Sequence, residues 1–67
     1  MDAKKLGKKI KLARVEKDMT QADLGKVTGL LQKSISLYET GQALPNLETL
    51  EKIAKALEKS FGYFLDT

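Results

Sequence analysis

The stretch TQADLGKVTGLLQKSISLYETG, Thr20 to Gly41, decides how this chain folds. Thr20 followed three residues later by Asp23 has the form of a capping box, with Asp in place of the usual Glu, and opens a helix. Leu24, Val27 and Thr28 continue that helix, and Gly29, free to take a positive φ, stops it. A second helix begins near Gln32 and ends at Thr40 and Gly41. Ile35 and Tyr38 step by three along its inner face. Only Gly29, Leu30 and Leu31 join the two helices, which forces them to cross steeply. Leu24, Leu30 and Ile35 can then meet in one small core. Gly25 costs about 1 kcal/mol against Ala inside a helix. A residue carrying that cost has a packing reason, here the close approach of the second helix. Met19, just before the cap, staples onto Leu24.

Two helices joined in this way make a helix-turn-helix, and the flanking sequence supplies its scaffold. Upstream, a helix runs from about Ala3 to Lys17 with Asp2 as N-cap, and Leu6, Ile10 and Ala13 form its apolar stripe. Leu12 and Val15 lie off that stripe. Downstream, after the loop Gln42-Ala43-Leu44-Pro45, Asn46 caps a helix whose stripe is Leu47, Leu50, Ile53, Ala54 and Leu57. Ser60 caps a last short turn carrying Phe61, Phe64 and Leu65. Tyr38, Phe61 and Phe64 are expected in the core, with Tyr63 the aromatic least bound to it. The expected fold class is all-α: a compact five-helix domain over residues 1–67, with the helix-turn-helix at about 20–40.

Sixty-seven residues, 42% hydrophobic and 31% charged, suffice for one small domain. A chain of this length buries about 60% of its unfolded surface, so stability must come from close packing. With no Cys there is no disulfide, thiolate nucleophile or Cys-based zinc site, and with no His the commonest general base and metal ligand is missing. A binding module is expected rather than an enzyme, with no cofactor and no metal. No apolar run approaches the ~20 residues that span a bilayer. The start, Met-Asp-Ala-Lys-Lys, lacks the apolar stretch of a signal peptide. A soluble cytoplasmic domain is the expectation, and Met1 reads as a true start. The charge is lopsided. Residues 1–17 hold Lys4, Lys5, Lys8, Lys9, Lys11, Arg14 and Lys17 against Asp2 and Glu16, a balance of +5, while residues 18–67 balance at −2. A basic segment on a near-neutral body suits a polyanion such as DNA, although it also suits a solvated lysine-rich helix face.

From about Leu6 to Leu65 the chain resembles the phage-repressor-like (Xre/Cro-type) helix-turn-helix family, with its lambda-repressor-like fold. The carrying stretches are IKLARVEKDMTQADLGKVTG, LQKSISLYETG and PNLETLEKIAKAL. Thr-Gln-x-x-Leu, Gly29, Ile35-Ser36, Glu39-x-Gly41, and Pro followed by Leu-x-x-Leu fall in order at the family's spacings. The resemblance implies a sequence-specific regulator of transcription that binds double-stranded DNA, a repressor acting as a homodimer on a two-fold operator, of bacterial, prophage or plasmid origin. It implies that Gln21 touches a phosphate, that Gln32 reads adenine, and that these two glutamines hydrogen-bond each other. It places Lys33, Ser36 and Leu37 at base edges, Thr20 and Thr40 at backbone phosphates, and Arg14 with Glu39 in an ion pair. The chemistry is compatible. Gln bonds adenine N6 and N7 together, Lys donates to guanine O6 and N7, and Leu packs on a thymine methyl. For Lys33, in the first turn of its helix, base reading is favoured over a phosphate contact.

Some positions depart from the family's pattern. Leu31 stands where Ser or Thr usually caps the recognition helix. The loop Gln42-Ala43-Leu44 carries no charge where the family is often basic. Glu58 and Lys59 replace a Gly and an apolar residue, so the fourth helix is expected to run on or fray. The resemblance, in which dimer contacts come from the C-terminal helices, places a dimer interface near the corner of the last two helices, with Tyr63 and Leu65 as apolar contributors and Lys59 at the rim; a second candidate is Leu12 with Val15. The alternative function is a protein–protein adaptor on the same fold, which the leucines at 12, 31, 37 and 44 and the uncharged loop would serve.

Overall fold

Asp2 opens α1 (Ala3–Glu16) by accepting hydrogen bonds from the amides of Lys4 at 2.9 Å and Lys5 at 3.1 Å. The device recurs because the first amides of any helix lack partners within it. At α2 (Gln21–Thr28) the expected capping box closes, with Thr20 N–H donating to Asp23 Oδ2 at 2.9 Å and Asp23 N–H to Thr20 Oγ1 at 3.0 Å. At α3 (Gln32–Glu39) the cap position is Leu31, whose side chain offers no acceptor. Asn46 accepts from the Thr49 amide at the head of α4 (Leu47–Ala56), and Ser60 from the Tyr63 amide at the head of α5 (Phe61–Leu65). This computed structural model describes residues 1–66; Thr67, the last residue of the domain expected over 1–67, lies outside the described residues.

The first four helices end alike, on a residue with positive φ behind which an amide turns back onto the helix's last turn. Gly29 (φ 76°) and Gly41 (φ 77°) take this position after α2 and α3, as the sequence predicts. After α1 and α4 it falls to Asp18 (φ 55°) and Glu58 (φ 56°). The amides of Asp18 and Met19 bond the carbonyls of Val15 and Arg14 at 2.9 and 3.2 Å, and those of Glu58 and Lys59 bond Lys55 and Ala54 at 3.2 and 3.0 Å. The fourth helix therefore neither runs on nor frays at Glu58 and Lys59, which corrects the expectation: Glu58 accepts the left-handed conformation and stops it. The two turns are also tied together, since Lys17 pairs with Glu58, and Lys59 with Glu16 at 3.5 Å.

The core joins all five helices. Leu6, Ile10 and Ala13 of α1, Leu24 of α2, Ile35 of α3, Leu50, Ile53 and Ala54 of α4, the following Leu57, and Phe64 of α5 are buried together. Burying a Leu, Ile or Phe contributes about 1.5–3 kcal/mol, so this cluster is the main stabilising element. Met19, Leu30, Tyr38, Ala56, Phe61 and Tyr63 pack around it. Leu47 departs from its stripe and is 61% exposed, because it sits at the first position of α4, beyond the reach of the other helices; Pro45 is buried instead. Val27 is likewise exposed.

Two glycines set the helix crossings. A Cβ on Gly25 would lie 2.7 Å from the Leu30 carbonyl oxygen, as the sequence predicts for a helix close to its neighbour. A Cβ on Gly7 would lie 2.4 Å from the Tyr38 oxygen and 2.6 Å from the Glu39 oxygen. So α1 rests backbone-close on the C-terminal end of α3 and holds that helix from behind. Among the described residues no helix is long and apolar enough to cross a membrane.

Candidate nucleic-acid interface

Helix α3 has two unlike sides. Ile35 and Glu39 are buried against the body, while Gln32 and Lys33 are exposed and Ser36 and Leu37 half-buried. On a helix of 3.6 residues per turn, positions 32, 33, 36 and 37, with Thr40 just beyond, share one flank. The structure thus brings the sequence-predicted base-reading set, Gln32, Lys33, Ser36 and Leu37, onto one outward side of α3. Thr20 is exposed and Gln21 half-buried at the head of α2.

Glu39 fixes that arrangement. Its carboxylate receives Arg14 Nε on Oε2 at 2.6 Å and Arg14 Nη2 on Oε1 at 3.0 Å, a two-pronged ion pair between α1 and α3. Arg14 Nη1 donates to the Met19 carbonyl at 2.7 Å, which adds the turn before α2. Gln21 Nε2 donates to Glu39 Oε1 at 3.1 Å. One buried carboxylate therefore holds the first three helices in register. The hydrogen bonds that Arg14 donates to Glu39 raise the guanidinium above its usual pKa.

This geometry corrects the expected bond between Gln21 and Gln32. The Gln21 amide goes to Glu39, a charged acceptor and a stronger one than a neutral amide. Gln32 lies seven residues earlier, about 10 Å along the axis of α3. Gln21 thereby serves as a brace on α2, and Gln32 keeps its side chain on the exposed flank.

The flanking polar groups are partly engaged. Thr20 gives its oxygen to Asp23 in the capping box, and the Thr20 amide in return holds the Asp23 carboxyl below its usual pKa. Thr40 Oγ1 donates to the Ser36 carbonyl at 3.0 Å and accepts from Gln42 Nε2 at 2.9 Å. Gln42 is a residue the sequence reading passed over, because an uncharged loop gave no sign of function. The candidate dimer residues also have partners within the chain. Tyr63 packs against the core rather than standing off it, edge-on to Phe64 with ring centroids 5.0 Å apart. The amines of Lys9 and Lys59 lie 4.8 and 5.1 Å from its ring centre, and Lys9 donates to the carbonyls of Tyr63 and Asp66 at 2.8 Å. Leu65 is exposed, as are Leu12 and Val15.

Comparison with known proteins agrees with this anatomy. Residues 10–64 match the helix-turn-helix family model. The chain is 41% identical over 54 residues to the ImmF control region 10 kDa protein of Bacillus phage phi105, covering 81% of this chain and 60% of that protein. It is 35% identical over 65 residues to repressor protein C2 of Salmonella phage P22, covering 97% of this chain and 30% of that protein. It is also 44% identical over 48 residues to multiprotein-bridging factor 1c of Arabidopsis thaliana, covering 72% of this chain and 32% of that protein. The chain thus spans between under a third and 60% of the length of these relatives. With five helices, α2 and α3 joined only through Gly29, Leu30 and Leu31, and this family match, the chain belongs to the phage-repressor-like helix-turn-helix family.

Proposed function

We propose that this chain binds double-stranded DNA sequence-specifically, as a transcriptional repressor or the DNA-binding part of one, working as a homodimer on a two-fold operator. The observation that carries the reading is the outward flank of α3, where Gln32, Lys33, Ser36 and Leu37 stand together while Ile35 and Glu39 are buried against the body. A recognition helix enters the major groove with its N-terminal residues at base edges, so Gln32 and Lys33 reach first. Thr20, Gln21 and Thr40 flank that helix as phosphate contacts, and the free amides at the heads of α2 and α3 favour phosphate oxygens. The similarity to a phage repressor supports the same reading.

The second reading, a protein–protein adaptor, draws on the relative named as a multiprotein-bridging factor and on the exposed Leu12, Leu31 and Leu44. Selection from random duplexes separates the two. A palindromic consensus, with half-sites roughly one helical turn apart, is the expected result. No enrichment over input, with no salt-sensitive duplex binding, would favour the adaptor.

A further inference from the structure

Of the seven basic residues in positions 1–17, three are engaged inside the fold: Arg14 with Glu39, Lys17 with Glu58, and Lys9 with the carbonyls of Tyr63 and Asp66. Lys4, Lys8 and Lys11 behave otherwise. They follow one another by four and three residues and so share a flank of α1. All three are exposed, and among the described residues none donates a side-chain hydrogen bond or pairs with a carboxylate. Asp2, the acid nearest Lys4 in sequence, accepts from the first amides of α1.

The direction of this flank follows from its neighbours. Gly7 touches the backbone of Tyr38 and Glu39, and Lys11 stands one turn beyond Gly7 on the same side. The aliphatic stem of Lys4 covers Gly41, where an added Cβ would come within 2.8 Å of the Lys4 Cγ. The strip therefore begins at Lys4, against Gly41 at the C-terminal end of α3, and continues along α1 on the side of the Gly7 contact. It is not needed there to satisfy the helix end. The Ser36 carbonyl already accepts from Thr40, the Leu37 carbonyl from Gln42 and Ala43, and the Tyr38 carbonyl from Gly41. The neighbouring loop 42–44 has no charge of its own.

We propose that Lys4, Lys8 and Lys11 form a second contact strip for the sugar–phosphate backbone of a DNA duplex, supplying beside α3 the positive charge that the 42–44 loop lacks. The proposal rests on the DNA-binding reading of α3 and extends it to a surface of α1. Seven residues of helix span about 10 Å, which matches on the order of three charges of one strand.

The test is the salt dependence of binding to a duplex of arbitrary fixed sequence. Three proteins are compared with wild type: Lys4→Met/Lys8→Met/Lys11→Met, the same triple to Arg, and the charge-matched control Lys26→Met/Lys52→Met/Lys55→Met on α2 and α4. Met keeps the stem that covers Gly41, and thermal melts confirm that each variant is folded. Each lost phosphate contact removes about 0.9 from the slope of log K against log salt. The Met strip variant should flatten the slope by roughly 2–3, the Arg variant should keep it, and the control should change it little. Equal flattening by strip and control would overturn the proposal, since net charge alone would then be acting. A steep slope unchanged in the strip variant would overturn it while leaving the reading of α3 intact. A wild type that binds no duplex would overturn both.

Discussion

Glu39 is 8% exposed and its carboxylate has three donors, so its loss and the loss of Arg14 should be felt across three helices. Removing one partner of a buried pair leaves the other charge unpaired, at a cost of about 3 kcal/mol or more. Arg14→Ala and Glu39→Ala should each destabilise the domain by about that amount, and the double variant should recover part of the sum. Urea denaturation of the four proteins checks this, and strictly additive losses would contradict the pairing. The pair itself was legible in the sequence through the family resemblance. The Gln21 bond was not, because spacing along the chain does not say which of two acceptors an amide will meet. Nor was the role of Gly7 legible. A glycine inside a helix marks a close approach, as Gly25 does, but the surface approached lies in the backbone of α3, more than thirty residues away.

At the scale of the element, the helix starts were readable because Asp2, Thr20, Asn46 and Ser60 are types that accept from free amides, and each does so. The ends were readable only where glycine marked them. Asp18 and Glu58 hold the left-handed conformation without a glycine's freedom, so neither turn announced itself. Relieving that conformation at Asp18 should stabilise the domain: Asp18→Gly is expected to gain up to about 1 kcal/mol, read as a higher urea midpoint. A lower midpoint would show that the Asp18 side chain contributes more than its backbone strain costs. Capping also brings a pH dependence. The Asp23 carboxyl is lowered chiefly by the Thr20 amide, then by the Thr20 hydroxyl. Its stabilising contribution is therefore complete above the ordinary Asp value of 3.8 and is lost as pH falls through the lowered folded value. Asp23→Asn should lower the denaturation midpoint at neutral pH, and the gap from wild type should narrow as the pH falls below the ordinary Asp value of 3.8. A gap that persists unchanged in acid would contradict the capping account. The exposed Leu47 belongs to this scale too. Periodicity assigns a residue to a face, but only the lengths of neighbouring helices decide whether anything covers that face.

Across the whole molecule the charge is +3, too little for tight operator binding by a single copy through charge alone. Pairing on a two-fold site is the simplest remedy. Tyr63, Leu65 and Lys59 lie at the α4–α5 corner proposed for it. Because Lys9 and Lys59 flank the Tyr63 ring, its removal should also loosen α5. Light scattering over a concentration series should show wild type moving toward dimer, Tyr63→Ala lagging behind it, and Leu12→Ser unchanged. A dimer lost only in Leu12→Ser would move the interface to α1, and a wild type monomeric even on palindromic DNA would remove the dimer from the account.

The central claim is that the outward flank of α3 reads DNA sequence. Its most direct test is the consensus selected from random duplexes by Gln32→Ala beside that of wild type. Gln32 is predicted to hold one adenine by a two-pronged hydrogen bond worth about 1–3 kcal/mol. The variant should therefore lose preference at one position of each half-site and keep the rest of the palindrome. An identical consensus from both proteins would contradict the assignment of α3 as the recognition helix.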